Sequence, residues 1–361
     1  MALLRDMRDW ARLQQFSNRY GYHGVSHPDE VFERAMRLAD VVDHYGIIVD
    51  RLALGIAAYC HDVDFGLDPR DIWIVENGVH RQAASKEDVS RYLTTQELRR
   101  RGCTDRLIKL VDGCIAGTNP LNPLDGVEAQ ILAAADIQPV GVGTPAEFLA
   151  NTRKLQRESR ALTGKNSTLA NFLRGSVNYL GLFTSRRIQL TPRYYSANGR
   201  SAWHEGAFRN MLAALETVNA KAPRVIGHVS ERPLSLNPGY DDDPENTVLL
   251  IIQNNPQGGI RWMRQQLADQ ARVAPMIAGI PTERSAISVP DGSVDMLHVD
   301  GFQRILPEEL RRVLRQRQGS GVHVHLSDQA VGSRTGEAMM AHHGFRLVNR
   351  DPNGETYALA G

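Results

Sequence analysis

The chain has 361 residues, a length that suggests about two domains, and 42% of them are hydrophobic, ample for at least one real core. Its 42 basic and 41 acidic residues leave a formal charge of +1, which provides no electrostatic footprint for nucleic acid or for an anionic membrane. Three widely spaced cysteines, Cys60, Cys103 and Cys114, with no CxxC, argue against a disulfide framework or a zinc–cysteine site.

The opening segment, MALLRDMRDWARLQQF, carries charges throughout and lacks the apolar stretch of a signal peptide. No run approaches ~18 apolar residues, so no membrane span is expected. The expectation is a soluble protein of a reducing cytoplasm, with homo-oligomerisation left open. Lysine occurs at only five positions, Lys86, Lys109, Lys154, Lys165 and Lys221, so arginine supplies nearly all positive charge. Arginine suits bidentate phosphate contacts, but the skew runs along the whole chain, as base composition would spread it.

Residues 1–115 read as helix after helix. Residues 29–42 place Val31, Met36, Leu38, Ala39 and Val42 at mostly helical spacing, with Pro28 just ahead. LALGIAAYC, residues 52–60, is too uniformly apolar for a surface helix. Further helices are expected over 85–93, 105–115, 127–137, 145–160 and 204–218, with no strand before about residue 220. Residues 219–246 are rich in Pro, Gly, Asp and Asn and read as a linker. Beyond them, strands over 248–252, 294–299, 321–326, 345–349 and 356–360 alternate with helices over 259–270, 307–316 and 336–343. That alternation predicts an α/β layer fold.

Ligand-type residues fall at the ends of apolar runs. His61 and Asp62 close LALGIAAYC, and Asp136 closes ILAAA. Burying a carboxylate beside an imidazole is costly unless something compensates, and a divalent cation would compensate both. His23 and His27 are four apart, and face the same way only if that stretch is helical. Two imidazoles and two carboxylates suit Mn, Fe, Co, Ni or Mg. Thr118 and Asn119, in IAGTNP, fit either the wall of a site or a plain helix stop before Pro120.

The runs RYGYHGVSHPDEVFERAMRLADVV, LALGIAAYCHDVDFG and ILAAAD followed by IQPV resemble the HD superfamily, and more narrowly the bacterial metal-dependent HD phosphohydrolases. The matching residues are Tyr22, His23, His27, His61, Asp62, Ser85 and Asp136, and the likeness extends through PAEFLANTRKLQRES and on to HEGAFRNMLAAL, covering roughly residues 10–218. The resemblance implies an all-α bundle and a mononuclear metal site of His27, His61, Asp62 and Asp136. It implies His23 as general acid or phosphate contact, with Asp62 also in the catalytic set, and a small-molecule phosphate ester such as a nucleotide as substrate. Arg81, Lys86 and Lys109 are candidate phosphate contacts, although each also fits a solvated helix face. The family's Glu ahead of the helix Ser is Gln82 here, and its Asn-Glu loop reads Glu76-Asn77-Gly78, so Glu76 or Glu87 would have to supply that carboxylate.

The segment VPDGSVDMLHVDGFQRILPEELRRVLRQRQGSGVHVHLSD resembles the later half of class I S-adenosylmethionine-dependent methyltransferases, through His298, Val299, Asp300 and Gly301, then Asp328. Its cofactor half departs from the family. With VLLIIQ as first strand, the following turn is NNPQGG, where Gly258 and Gly259 are permissive but Pro256 intrudes, and no acid follows VAPMIAG to hold a ribose. Gly258, Gly259 and Asp300 are the candidate cofactor contacts of a degenerate module.

The expected architecture is therefore multi-domain: an all-helical HD-type domain at 1–218, a linker at 219–246, and a small Rossmann-like, methyltransferase-like α/β domain at 247–361. The function expected is metal-dependent phosphate-ester hydrolysis. The alternatives are S-adenosylmethionine-dependent methyl transfer, with the helical domain binding the acceptor, and a non-catalytic two-module scaffold.

Overall fold

The computed structural model of the chain describes residues 2–15, 22–24, 26–63, 69–76, 78–186, 200–230, 243–253, 256–269, 275–281, 286–299, 307–314, 323–327, 338, 340–351 and 354–359. These form two compact units. The first holds residues within 1–139 and 150–167, and the second residues within 140–149, 168–187 and 192–361.

In the first unit, α1 (Ala2–Gln15), α2 (His27–His44), α3 (Arg51–Cys60), α4 (Lys86–Arg100) and α5 (Asp105–Thr118) are joined by most of α6 (Gly126–Val142) and of α7 (Pro145–Thr163). Helix α3 is its centre, packed by α1, α2 and α5. Every residue from Ala53 to Cys60 is buried, as the unbroken apolar run demands. Asp50 starts the helix by accepting the Ala53 amide at 3.0 Å. Gly55 lets a neighbour come close, since a Cβ there would stand 3.0 Å from both Leu4 and Phe32. Ser85 caps α4 through the Asp88 amide, and Thr104 caps α5 through that of Leu107.

A hairpin of β1 (Trp73–Glu76) and β2 (Val79–Gln82) interrupts the helices, contrary to the expectation of no strand before residue 220. It buries only one edge: Ile74 packs with Ala83 and Val89, while Trp73, Val75 and Val79 are exposed.

The second unit is built on seven strands: β3 (Arg224–Val229), β4 (Thr247–Gln253), β5 (Met276–Pro281), β6 (Met296–Val299), β7 (His323–Ser327), β8 (Phe345–Asp351) and β9 (Gly354–Leu359). Their order is β5-β4-β3-β6-β7-β9-β8. The first five run parallel, and β9 lies antiparallel to both its neighbours. With α8 (Leu169–Thr184), α9 (Ala202–Asn219), α10 (Pro256–Asp269) and α11 (Pro307–Val313), this is an α/β region consistent with a Rossmann-like methyltransferase fold.

The units divide elsewhere than at 218 and 247. Strand β3 falls inside the stretch read as a linker, and five of its six residues are buried. Pro223 before it and the Pro- and Asp-rich stretch after it disguise it in the sequence. Helix α8 also belongs with the sheet: Asn178 Oδ1 accepts the Ile277 amide at 2.7 Å, and Arg264 donates to the Asn178 carbonyl at 2.9 Å. Among the described residues, no helix is long and apolar enough to cross a membrane.

Candidate metal centre

The ligand-type residues of the first unit are brought together by the ends of two helices and the interior of a third. His27 is the first residue of α2 and is 3% exposed. Pro28 follows at a position where its missing N–H costs nothing, so it opens the helix rather than breaking one. His23 therefore lies in the turn before α2. His61 caps α3 and Asp62 follows it. Asp136 lies within α6.

His61 Nδ1 is 2.9 Å from the Ala58 carbonyl. A carbonyl only accepts, so Nδ1 carries a proton, and in the neutral ring the lone pair lies on Nε2. That Nε2 stands 3.1 Å from Asp62 Oδ2 and 3.6 Å from Asp136 Oδ1. His27 Nε2 stands 3.4 and 3.3 Å from the same two atoms. Both Nε2 atoms are buried, and neither makes an aligned hydrogen bond. The carboxylate side of the cluster is its open side, with Asp62 and Asp136 side chains 21% exposed.

These four nitrogen–oxygen separations suit a shared ion, while ligand atoms all within 4.8 Å of one another join His27 with His61 and Asp136 in one group and with His23 and Asp62 in another. Tetrahedral ligand atoms each about 2.1 Å from one centre lie about 3.4 Å apart. Two neutral imidazoles and two carboxylates also balance a divalent charge. Burial alone would depress His27, but Asp136 and Asp62 outweigh it and raise its pKa. Burial likewise opposes charge on His61, yet Asp62, then Asp136, lift it well above the usual imidazole value. Burial would raise Asp62, but His61, His23 and His27 hold it well below the carboxylate range, and His27 and His61 do the same for Asp136. Without a cation, shared protons carry the compensation that an ion would supply.

Three further residues adjoin the cluster. The His23 ring packs edge-on to His27, with centroids 5.4 Å apart, and offers a ligand nitrogen within 4.8 Å of those of His27 and Asp62. Its Nδ1 is 2.6 Å from Glu158 Oε1, and its backbone amide donates to Glu158 Oε2 at 3.1 Å. Glu158 is 2% exposed. The Tyr22 ring lies 5.2 Å from that of His27, and burial, then Asp136, push its phenol pKa up, so it stays protonated. Sequence reasoning did not single out Glu158, because a glutamate in a charged amphipathic helix looks like surface.

The other sequence candidates have surroundings of their own. Lys109 lines a groove with Ile48, Asp50, Arg106 and Glu128, in which none of the cluster residues takes part. Arg81 donates to Asp88 at 2.8 Å, and Lys86 is exposed in the first turn of α4. Gln82 donates to the Arg70 carbonyl, and Glu87 accepts from Asn119. Thr118 and Asn119 form the end of α5, with Thr118 bonded to the Ile115 carbonyl. The Glu76 side chain lies outside the described set.

In the second unit the candidate cofactor glycines are not where the sequence expectation put them. The first strand is β3, so the turn that would approach a cofactor follows Val229, and residues 231–242 lie outside the described set, as do Asp300 and Asp328. Gly258 and Gly259 are instead in α10, after the second strand. A Cβ on Gly259 would meet Ile251 at 2.7 Å and Gln253 at 3.0 Å, so this glycine lets α10 lie against β4. The strand order reverses between β3 and β6. There His228, 2% exposed, stacks on His298 with centroids 4.8 Å and planes 15° apart. Burial, then His298, push His228 down to about 3, so it is neutral. Register places His325 beside His298, but the side chains of His323 and His325 lie outside the described set.

No protein-family model matches the chain, and no curated protein matches it. Among solved structures, it is similar to the S-adenosylmethionine-dependent methyltransferase SibL in its apo form, at 12% identity and a TM-score of 0.22, over 93% of this chain and 96% of that one. It is also similar to the DszA carbon methyltransferase, at 8% identity and a TM-score of 0.26, over 100% of this chain and 93% of that one. At such scores neither likeness bears on function.

Proposed function

We propose that the helical unit is an HD-type metal-dependent hydrolase of a phosphate ester, acting on a nucleotide or a similar small molecule. One observation carries the proposal. The buried Nε2 atoms of His27 and His61, with no aligned hydrogen bond, converge on two carboxylate oxygens at 3.1–3.6 Å. Buried polar atoms are normally satisfied, and an unsatisfied pair facing two acids is the arrangement a cation completes. A divalent ion there would lower the pKa of a bound water and polarise a phosphoryl oxygen.

The chain's own residues do the rest. The Ala58 carbonyl holds His61 in the tautomer that presents a lone pair. Asp62 and Asp136 keep their charge against burial and leave their outer faces open for substrate. Tyr22 supplies a neutral phenol as hydrogen-bond donor at the edge of the cluster. The test is phosphate release from a panel of nucleoside phosphates, with chelated protein reloaded separately with Mn, Fe, Co, Ni or Mg. Turnover restored by an ion supports the proposal; no turnover with any ion or nucleotide removes it.

A second reading concerns the α/β unit, S-adenosylmethionine-dependent methyl transfer. Its support is the strand order with β9 reversed. Equilibrium dialysis with labelled S-adenosylmethionine decides it, because a methyltransferase must retain the label and a scaffold of the same fold need not.

A further inference from the structure

The chain as a whole is close to neutral, but its charge is segregated. Residues 148–204 hold ten Lys and Arg and a single acid, Glu158, so the rest of the chain is net acidic. Part of the basic excess is neutralised locally: Arg174 pairs with Glu245 at 3.5 Å, and Arg200 pairs with Glu205 and Asp291. Arg186 is buried. What remains on the described surface lies on α7 and just past its end. Arg153, Lys154, Arg157, Arg160 and Lys165 are all exposed, and among the described residues none of them makes an ion pair.

We infer that this face of α7 binds the phosphate backbone of a nucleic-acid duplex without reading its sequence. Arg153, Arg157 and Arg160 stand at i, i+4 and i+7 and so share one face of the helix. The acid of α7 beyond its first turn, Glu158, is buried and turned onto His23, so no carboxylate of the helix interrupts the row. At ~1.5 Å per residue the three arginines span about 10 Å, the rise of about three phosphates along one strand. Like charges at this spacing repel one another and destabilise the helix, a cost that a bound polyanion removes. Each guanidinium also offers a phosphate two parallel N–H donors. A net charge of +1 averages this stripe away.

Two features select a duplex over other polyanions. Residues 150–165 contain no aromatic residue on which an unpaired base could stack, as single-strand binding requires. Of the large apolar residues of α7, Phe148 and Leu149 are buried and Leu162 alone is exposed, which is too little to lay the helix into a bilayer.

The experiment is fluorescence anisotropy of a labelled DNA duplex of about two helical turns, titrated with the full-length protein between about 50 and 200 mM NaCl. A chelator is present so that no divalent ion bridges protein and phosphate. Wild type is expected to bind with a slope of log K against log[salt] of about −3 to −4, the counterion release from about four phosphates. Arg153→Gln, Arg157→Gln and Arg160→Gln combined, which keep helix propensity, are expected to weaken binding about 10–100-fold at the lowest salt and to flatten the slope by about three. Arg37→Gln, Arg99→Gln and Arg106→Gln combined remove the same charge from exposed arginines of α2, α4 and α5. That variant is expected to stay within about twofold of wild type, because charges away from the contact are screened. A loss in the α7 variant no greater than in this control, or no binding by the wild type, overturns the inference. Binding to phosphatidylserine vesicles in place of the duplex overturns it as well.

Discussion

Arg34 donates from Nη1 to the carbonyl of Ala135 at 3.2 Å, and that carbonyl is the one Pro139 leaves without an amide partner. In a regular helix the N–H of residue 139 would bond to the carbonyl of residue 135, and proline has none. Arg34, reaching from α2 and also paired with Glu30 at 2.6 Å, fills the vacancy one residue before the candidate ligand Asp136. A proline inside an apolar helix thus makes an arginine on a neighbouring helix part of the frame of the site.

Arg34→Met is accordingly expected to lower stability by about 1–3 kcal/mol, the cost of stranding a buried acceptor. Pro139→Ala, which restores the helical amide, is expected to make the same substitution nearly neutral. Denaturant unfolding of the four proteins of this cycle measures the coupling. Equal costs of Arg34→Met in both backgrounds would show that the carbonyl does not depend on the arginine.

The centre of the candidate site is legible in the sequence because its residues end apolar runs. His61 and Asp62 had to sit at the edge of the core once LALGIAAYC was read as buried, and Asp136 follows from ILAAA by the same logic. Where burial and periodicity part company, the reading fails. The 73–82 hairpin shows three of its apolar side chains to solvent, so no alternation marks it. Strand β3 is short and hidden among turn-forming residues. Glu158 becomes visible only when folding brings it to a histidine 135 positions earlier. Gly258 and Gly259 were read as a cofactor turn because, with β3 unseen, β4 looked like the first strand.

The two glycines of α10 make opposite demands. Gly258 has open space where a Cβ would go, so Gly258→Ala is expected to be neutral or to stabilise by about 0.5–1 kcal/mol through helix propensity. Gly259→Ala would drive a methyl against Ile251 and is expected to cost about 1–3 kcal/mol. Thermal unfolding of the pair separates them. A tolerated Gly259→Ala would show that the close approach of α10 to β4 is not needed.

His204 gives the second unit an acid sensitivity. It is 3% exposed, Nε2 donates to the Thr184 carbonyl at 3.0 Å, and Nδ1 lies 2.7 Å from Ser201 Oγ. Burial, opposed by the bond to Thr184, pushes it down to about 4. An unfolded histidine titrates near 6.5, so below that pH the unfolded chain binds a proton that the folded chain refuses. Stability therefore falls as pH drops from about 6.5 to about 4, by about 2 kcal/mol at pH 5. Urea unfolding at pH 7 and pH 5 is expected to show this loss in the wild type and a smaller one in His204→Gln. Identical losses would place the acid sensitivity elsewhere.

The most direct measurement is the metal content of the purified chain beside His61→Ala and Asp136→Ala. The wild type is expected to carry one divalent ion per chain and both variants none. Reloading the chelated wild type with ion at 100 times its Kd is expected to raise stability by about 2.7 kcal/mol, with no such gain in either variant. A wild type that holds no ion, and whose unfolding no divalent metal shifts, would contradict the account.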